Sequence, residues 1–174
     1  VTLDQASSFG TLAFAASSGN IANVSITDSG AIDLAAMTIT GNLTVSAGGA
    51  ITDSGVLDVD GTASLTATAN NSITINNATG NGITGAVSFM TSGTGDVTFD
   101  NGTTAVNLGT VSVGQNLSVT SGDAITDSGI ITVASGNTAN FRTDISDKHI
   151  TLDLGHAIAG TVTFNTVSHL GDVT

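Results

Sequence analysis

Proline, cysteine, tryptophan, tyrosine and glutamate are all missing from this 174-residue chain, and Arg142 and Lys148 are its only basic residues. Each absence excludes something. Without cysteine there is no disulfide scaffold and no Cys-based zinc or redox site. At the usual frequency of about 5%, roughly nine prolines would be expected in a chain this long. Proline cannot donate to a β-ladder and survives only at edges and bulges. Its absence suits a fold in which nearly every strand is bonded on both sides. The long, unbranched helix formers are also nearly gone, since glutamine occurs only at Gln5 and Gln115. A formal charge of −12 opposes binding to the phosphate backbone of nucleic acid, which needs Lys and Arg, and equally to anionic membrane surfaces. No apolar run approaches the ~18 residues of a spanning helix. A basic n-region, an apolar h-region and a starting Met are missing too, so the chain reads as a mature protein or an excised fragment.

What remains is rich in Val, Ile, Thr, Asn, Ser and Asp, with 22 Gly and 40% hydrophobic residues. That mixture builds strands joined by tight turns and can bury a core. An all-β fold follows.

The chain repeats. Gly10-Thr-Leu-Ala-Phe14, Gly85-Ala-Val-Ser-Phe89 and Gly160-Thr-Val-Thr-Phe164 are equally spaced, at a period of about 75 residues. Asn42-Leu-Thr-Val-Ser-Ala-Gly-Gly-Ala-Ile-Thr-Asp-Ser-Gly55 matches Asn116-Leu-Ser-Val-Thr-Ser-Gly-Asp-Ala-Ile-Thr-Asp-Ser-Gly129 at 10 of 14 positions, at nearly the same offset. Val1-Thr-Leu-Asp4, Ile73-Thr-Ile-Asn76 and Ile150-Thr-Leu-Asp153 form a looser third set. The chain thus spans residues 1–174 as a single solenoid segment of about 2.3 copies of this unit, with equivalent starts at Gly10, Gly85 and Gly160. It begins and ends partway through the unit, as a cut from a longer array would.

Within the unit, short runs such as Leu43-x-Val45, Ile73-x-Ile75 and Leu117-x-Val119 alternate with period two, the strand signature. Many recur one short step later, as Val87, Val106 and Ile125 do. The expectation is a right-handed parallel β-solenoid of about nine coils of roughly 19 residues, a rod of about 43 Å at ~4.8 Å per strand. A coil of about 25 residues, three per unit, is the competing count. One coil cannot bury its inward aliphatic side chains; stacking lines them into interior ladders. Phe14, Phe89 and Phe164 are expected to share one interior slot. The glycines of Asp28-Ser-Gly30, Asp53-Ser-Gly55 and Asp127-Ser-Gly129 are expected to supply φ > 0 at corners, with Asp and Ser capping turn amides.

The succession N-L-[TS]-V…G-x-A-I-T-D-S-G, then I-T-[IL]-[ND]…G-[AT]-V-x-F, resembles the central repeats of filamentous-haemagglutinin-like exoproteins, the passengers of two-partner secretion and of autotransporters. The resemblance covers essentially the whole chain. It implies a right-handed β-helix exported from a Gram-negative-type bacterium to the cell surface or medium, with roles in adhesion, aggregation or biofilm. The N-P-N-L type motifs of that family's secretion domain have no counterpart in this chain, and no binding residue carries over.

No catalytic, cofactor-binding or metal-binding residue is assigned. The Asp-Ser-Gly corners could hold Ca²⁺, but the nonapeptide calcium repeat is absent and turn capping is the favoured reading. His149 and His169 lie about one coil apart; with His156 nearby they still lack the further ligands of a zinc site. Asp58 and Asp60 share a strand face, yet a glycosidase needs carboxylates at a defined separation, and aromatic sugar platforms are missing. No serine sits in a nucleophile elbow. Arg142-Thr-Asp-Ile-Ser-Asp-Lys148 reads as a surface bulge with local charge pairing rather than a partner-facing loop. Thr38-x-Thr40 and Thr66-x-Thr68 are too sparse for an ice-ordering face. Three functions are therefore carried: a non-catalytic stalk or adhesive passenger contacting a host or neighbouring-cell surface or glycan; a filament or sheath subunit stacking on copies of itself; and a polysaccharide-active β-helix enzyme, disfavoured.

Overall fold

The computed structural model describes residues 1–167 and 173–174, and among them every regular element is a β-strand. The strand pairs are all parallel. The chain winds into a β-solenoid of about eight turns, each turn passing three sides. Sheet 1 runs through Thr2–Ser7, Val24–Asp28, Leu43–Ala47, Ala63–Ala67, Ala86–Met90, Val106–Val113, Ile131–Val133 and Ala157–Ile158. Sheet 2 runs through Thr11–Leu12, Ile32–Leu34, Ile51–Asp53, Ile73–Ile75, Val97–Asp100, Leu117–Ser121, Thr138–Thr143 and Thr161–Thr166. The third side is Met37–Ile39, Leu57–Val59 and Gly82–Ile83. In higher coils the third side is taken by Val106–Leu108, Ile125–Asp127 and single bridges at Ile150 and Val173, which are paired into sheet 1 rather than onto Gly82–Ile83. Val106–Leu108 leads without a break into Val111–Val113, so there the third side rolls into sheet 1.

Period-two alternation produces this directly. Alternate residues face inward, and stacking sets them in columns. One column reads Ile26, Val45, Leu65, Phe89, Val111 and Ile131; another reads Ile32, Ile51, Ile73, Val97, Leu117 and Ala139. All of these are buried. Each large aliphatic or aromatic side chain removed from water contributes about 1.5–3 kcal/mol, against the entropy of ordering the coil.

The coil length is not constant. Hydrogen-bonded neighbours on successive coils are separated by 19 positions at Asn23 and Asn42, by 24 at Ser72 and Asp96 and by 25 at Ile131 and His156. Both expected periods therefore occur, in different coils. Because most coils are longer than the shorter period, the count falls from the expected nine to about eight. Corner loops absorb much of the variation, as at residues 68–71, where Ala69 and Asn70 take positive φ.

Two expectations need correction. Phe14, Phe89 and Phe164 do not share a slot. Phe89 is buried in sheet 1, whereas Phe164 lies in sheet 2, 41% exposed and stacked on Phe141 with ring centroids 5.6 Å apart. Phe14 follows Thr11–Leu12 and is partly buried against the core. The reason is that the repeat is not a whole number of coils, so a repeated block returns on a different side. The glycines of Asp-Ser-Gly do not supply positive φ either; that falls to Gly19, Gly80, Gly93, Gly102 and Gly136. At Gly55 and Gly129 the demand is for space. A Cβ at Gly55 would stand 2.2 Å from the Ala36 amide nitrogen, and one at Gly129 would stand 2.5 Å from the Gly109 carbonyl carbon.

Candidate functional site

The three Asp-Ser-Gly segments sit at three different corners: after a sheet 1 strand, after a sheet 2 strand and after a third-side strand. In each, the serine amide donates to a carbonyl one coil below, at Ser7, Leu34 and Leu108. The aspartates join neighbouring coils. Asp28 is buried and accepts from the Phe9 and Gly30 amides at 2.6 and 2.7 Å. Asp53 accepts from the Asn76 and Asn77 amides and from Asn81 Nδ2. Asp127 accepts from the Asp153 amide at 3.1 Å. These carboxylates bind backbone donors, a charge-assisted contact stronger than a neutral one. Among the described residues no three His, Asp or Glu side chains gather as a metal would need.

A second set of polar groups lies inside the corner that follows sheet 2, and the sequence reading missed it. Asn81, Asn101, Ser121 and Thr143 are all buried there. Asn81 Oδ1 accepts from the Leu57 amide at 2.9 Å. Asn101 accepts from the Ile83 amide and donates to the Ile83 and Ala105 carbonyls, each at 2.9 Å. Ser121 Oγ donates to the Thr104 carbonyl and accepts from the Asp123 amide. Asn81, Asn101 and Ser121 satisfy backbone groups where the strands part, as buried polar groups require, whereas the equally buried Thr143 hydroxyl has no hydrogen-bond partner among the described residues. Their signal was faint: a polar residue at an inward position at, or next to, the end of a strand.

Of the histidines, His169 lies outside the described residues, so its stacking on His149 has no structural counterpart to report. The carbonyl of His149 accepts from the Ile125 amide. His156 Nδ1 accepts from the Ile131 amide at 3.0 Å. In the neutral ring the proton is then on Nε2, 3.3 Å from Asp127 Oδ2. The imidazole thus takes the place of a backbone carbonyl at the start of a strand.

Asp58 and Asp60 are both exposed. Asp58 stands at the rim of an open depression of about 430 Å³ lined also by Phe14, Asn20, Ile21, Met37 and Thr38. Arg142 pairs with Asp144, and Lys148 reaches Asp123 one coil below at 2.9 Å. The Lys148 ammonium, with the Ala124 amide, holds the Asp123 carboxyl below its ordinary value. Thr38 belongs to the third side and Thr66 to sheet 1, so the two T-x-T runs do not share a face.

Sheet 1 nevertheless carries ranks of hydroxyls that the T-x-T pattern does not reveal. Thr2, Ser25, Thr44, Ser64 and Ser88 stack in one outward rank. Thr27, Ser46 and Thr66 stack in the next, interrupted by Met90 and resumed at Ser112 and Thr132. The depressions lined by described residues are open.

Stacked parallel coils with side chains in vertical columns define a β-solenoid repeat protein. A family model described as DUF5649, repeats of unknown function, matches twice, over residues 21–90 and 94–166. The chain belongs to this family. No curated protein and no solved structure matched it.

Proposed function

We propose that the chain is a stretch of the non-catalytic stalk or adhesive region of an exported bacterial surface protein, in the manner of the filamentous-haemagglutinin-like repeats it resembles. One observation carries this reading. Two sheets run continuously from the first coil to the last, building length and stiffness. Contact with a host or neighbouring-cell surface or glycan would fall to outward ladders and corner loops. The test is an antibody against this segment applied to intact source cells, together with attachment and aggregation assays on cells lacking it. Surface labelling that protease removes, with attachment reduced by the deletion, is the expected result. Labelling only after lysis rejects export, and unchanged attachment rejects an adhesive role.

A second reading is end-to-end filament assembly, in which the parallel ladders would continue from one copy onto the next. Val162 and Phe164 continue the inward columns of Ala139 and Phe141. Fibres of purified protein in electron micrographs, growing with concentration, would support it; short rods at every concentration would reject it. Product release from a panel of polysaccharides would overturn the non-catalytic assignment.

A further inference from the structure

We infer that each family unit is a screw element: it advances the rod by three coils and one side, so successive units present the same outward residues about a third of a turn apart. From Val24–Asp28 to Ala86–Met90 the unit over residues 21–90 passes ten strands, the isolated bridge at Ile21 lying before the first of them. The unit over 94–166 holds the same number, from Val97–Asp100 to Thr161–Thr166, with the bent strand Val106–Val113 counted as two and the Ile150 bridge as one. Three sides do not divide ten, and the remainder rotates the unit.

The strands of the two matched units follow this rule. The sheet 1 strands Val24–Asp28, Leu43–Ala47, Ala63–Ala67 and Ala86–Met90 correspond to the sheet 2 strands Val97–Asp100, Leu117–Ser121, Thr138–Thr143 and Thr161–Thr166. The sheet 2 strands Ile32–Leu34 and Ile51–Asp53 correspond to Val106–Leu108 and Ile125–Asp127, which lie on the third side, between a sheet 2 strand and the next sheet 1 strand, and are hydrogen-bonded into sheet 1 there. Third-side Met37–Ile39, Leu57–Val59 and Gly82–Ile83 correspond to Val111–Val113, Ile131–Val133 and Ala157–Ile158 of sheet 1. The permutation is cyclic, so three units restore the starting side after ten coils, about 48 Å at ~4.8 Å per coil.

This bears on recognition. A contact group written once per unit is offered in three directions in rotation. The partner that fits is one engaging a single unit from any side, such as a flexible cell-surface glycoprotein or glycan. A flat lattice laid along one side would meet the group only at every third unit. This use rests on the stalk reading above; the rotation itself does not, and it is measured without any partner.

The chain has no cysteine, so paired cysteine variants can carry spin labels at unique sites. Ser46→Cys with Ser112→Cys spans three coils in one column of sheet 1. Ser46→Cys with Thr120→Cys joins sequence-equivalent positions on sheets 1 and 2 with a similar axial rise. Pulsed electron resonance should give the second pair the longer distance, because the first has only the axial rise of about 14 Å between backbones. A second pair as short as the first, or shorter, would mean that the units stack in phase and would overturn the inference, whatever the adhesion assays show.

Discussion

The blocks Asn42–Gly55 and Asn116–Gly129 are nearly the same peptide in two settings. In the first, the strand joins sheet 1 and Asp53 turns the corner out of sheet 2. In the second, the strand joins sheet 2 and Asp127 turns the corner out of the third side. Inward alternation and corner hydrogen bonding survive the move. The difference teaches that a block encodes its own in–out pattern and turn, whereas its side of the rod is set by how much chain was wound before it. Side is a count, not a motif.

The largest effect that would sharpen this comparison is at equivalent phenylalanines. Phe89→Ala should cost about 3–5 kcal/mol, the range for emptying a packed core site. Phe164→Ala, at a site 41% exposed, should cost less than half of that. Urea unfolding measures both; equal costs would break the contrast. Next come Asp28 and Asn101, equivalent corner residues that are both buried. Asn101→Asp sets a carboxylate against the Ile83 and Ala105 carbonyls that the amide now serves. It should cost about 3 kcal/mol at neutral pH, and the penalty should shrink as the pH falls and that carboxyl takes a proton. Asp28→Asn loses one of two amide acceptor contacts and should cost about 1 kcal/mol. Melting of both variants across a pH series checks this.

How much of this was legible beforehand follows from what each residue has to encode. Strands and core could be read because alternation at sites such as Leu43-x-Val45 is local. The coil count could not. Loops such as the one at Ala69 and Asn70, both at positive φ, lengthen a coil without altering the strands on either side. The role of Gly55 was misread because a glycine that spares a close backbone contact looks, in sequence, like one that turns the chain. Asn101 was hidden because Asn-Gly reads as an exposed turn, yet its amide points inward. The His156–Asp127 contact repeats the Asn81–Asp53 contact of the preceding unit, but with histidine in place of asparagine the correspondence does not show in the sequence.

Glycine supplies the third test. Gly55→Ala and Gly129→Ala should each cost about 1–3 kcal/mol, as overpacking does. Gly30→Ala, with its nearest prospective neighbour at 3.6 Å, should change stability by less than about 0.5 kcal/mol. Thermal melts compare the three, and a full-sized loss at Gly30 would restore a conformational role for the motif.

The smallest effect is electrostatic. Because the Asp123 carboxyl titrates below its ordinary value when folded, its pairing contributes stability above the unfolded value and loses it as pH falls through the folded one. The pair is partly exposed, so the contribution is modest. Lys148→Met should slightly flatten the decline of melting temperature between about pH 5 and 3; an unchanged slope would show that the pair contributes nothing.

The winding also dictates how the rod answers tension. Its inter-coil hydrogen bonds lie along the long axis, so a pull on the two ends loads the outermost winding first and unspools the chain from there. A winding such as Phe89 to Val111 would release about 75 Å of extended chain at ~3.4 Å per residue, in place of the ~4.8 Å it held. Such a thread yields in small successive increments and dissipates work at each, extending many-fold before its last windings let go.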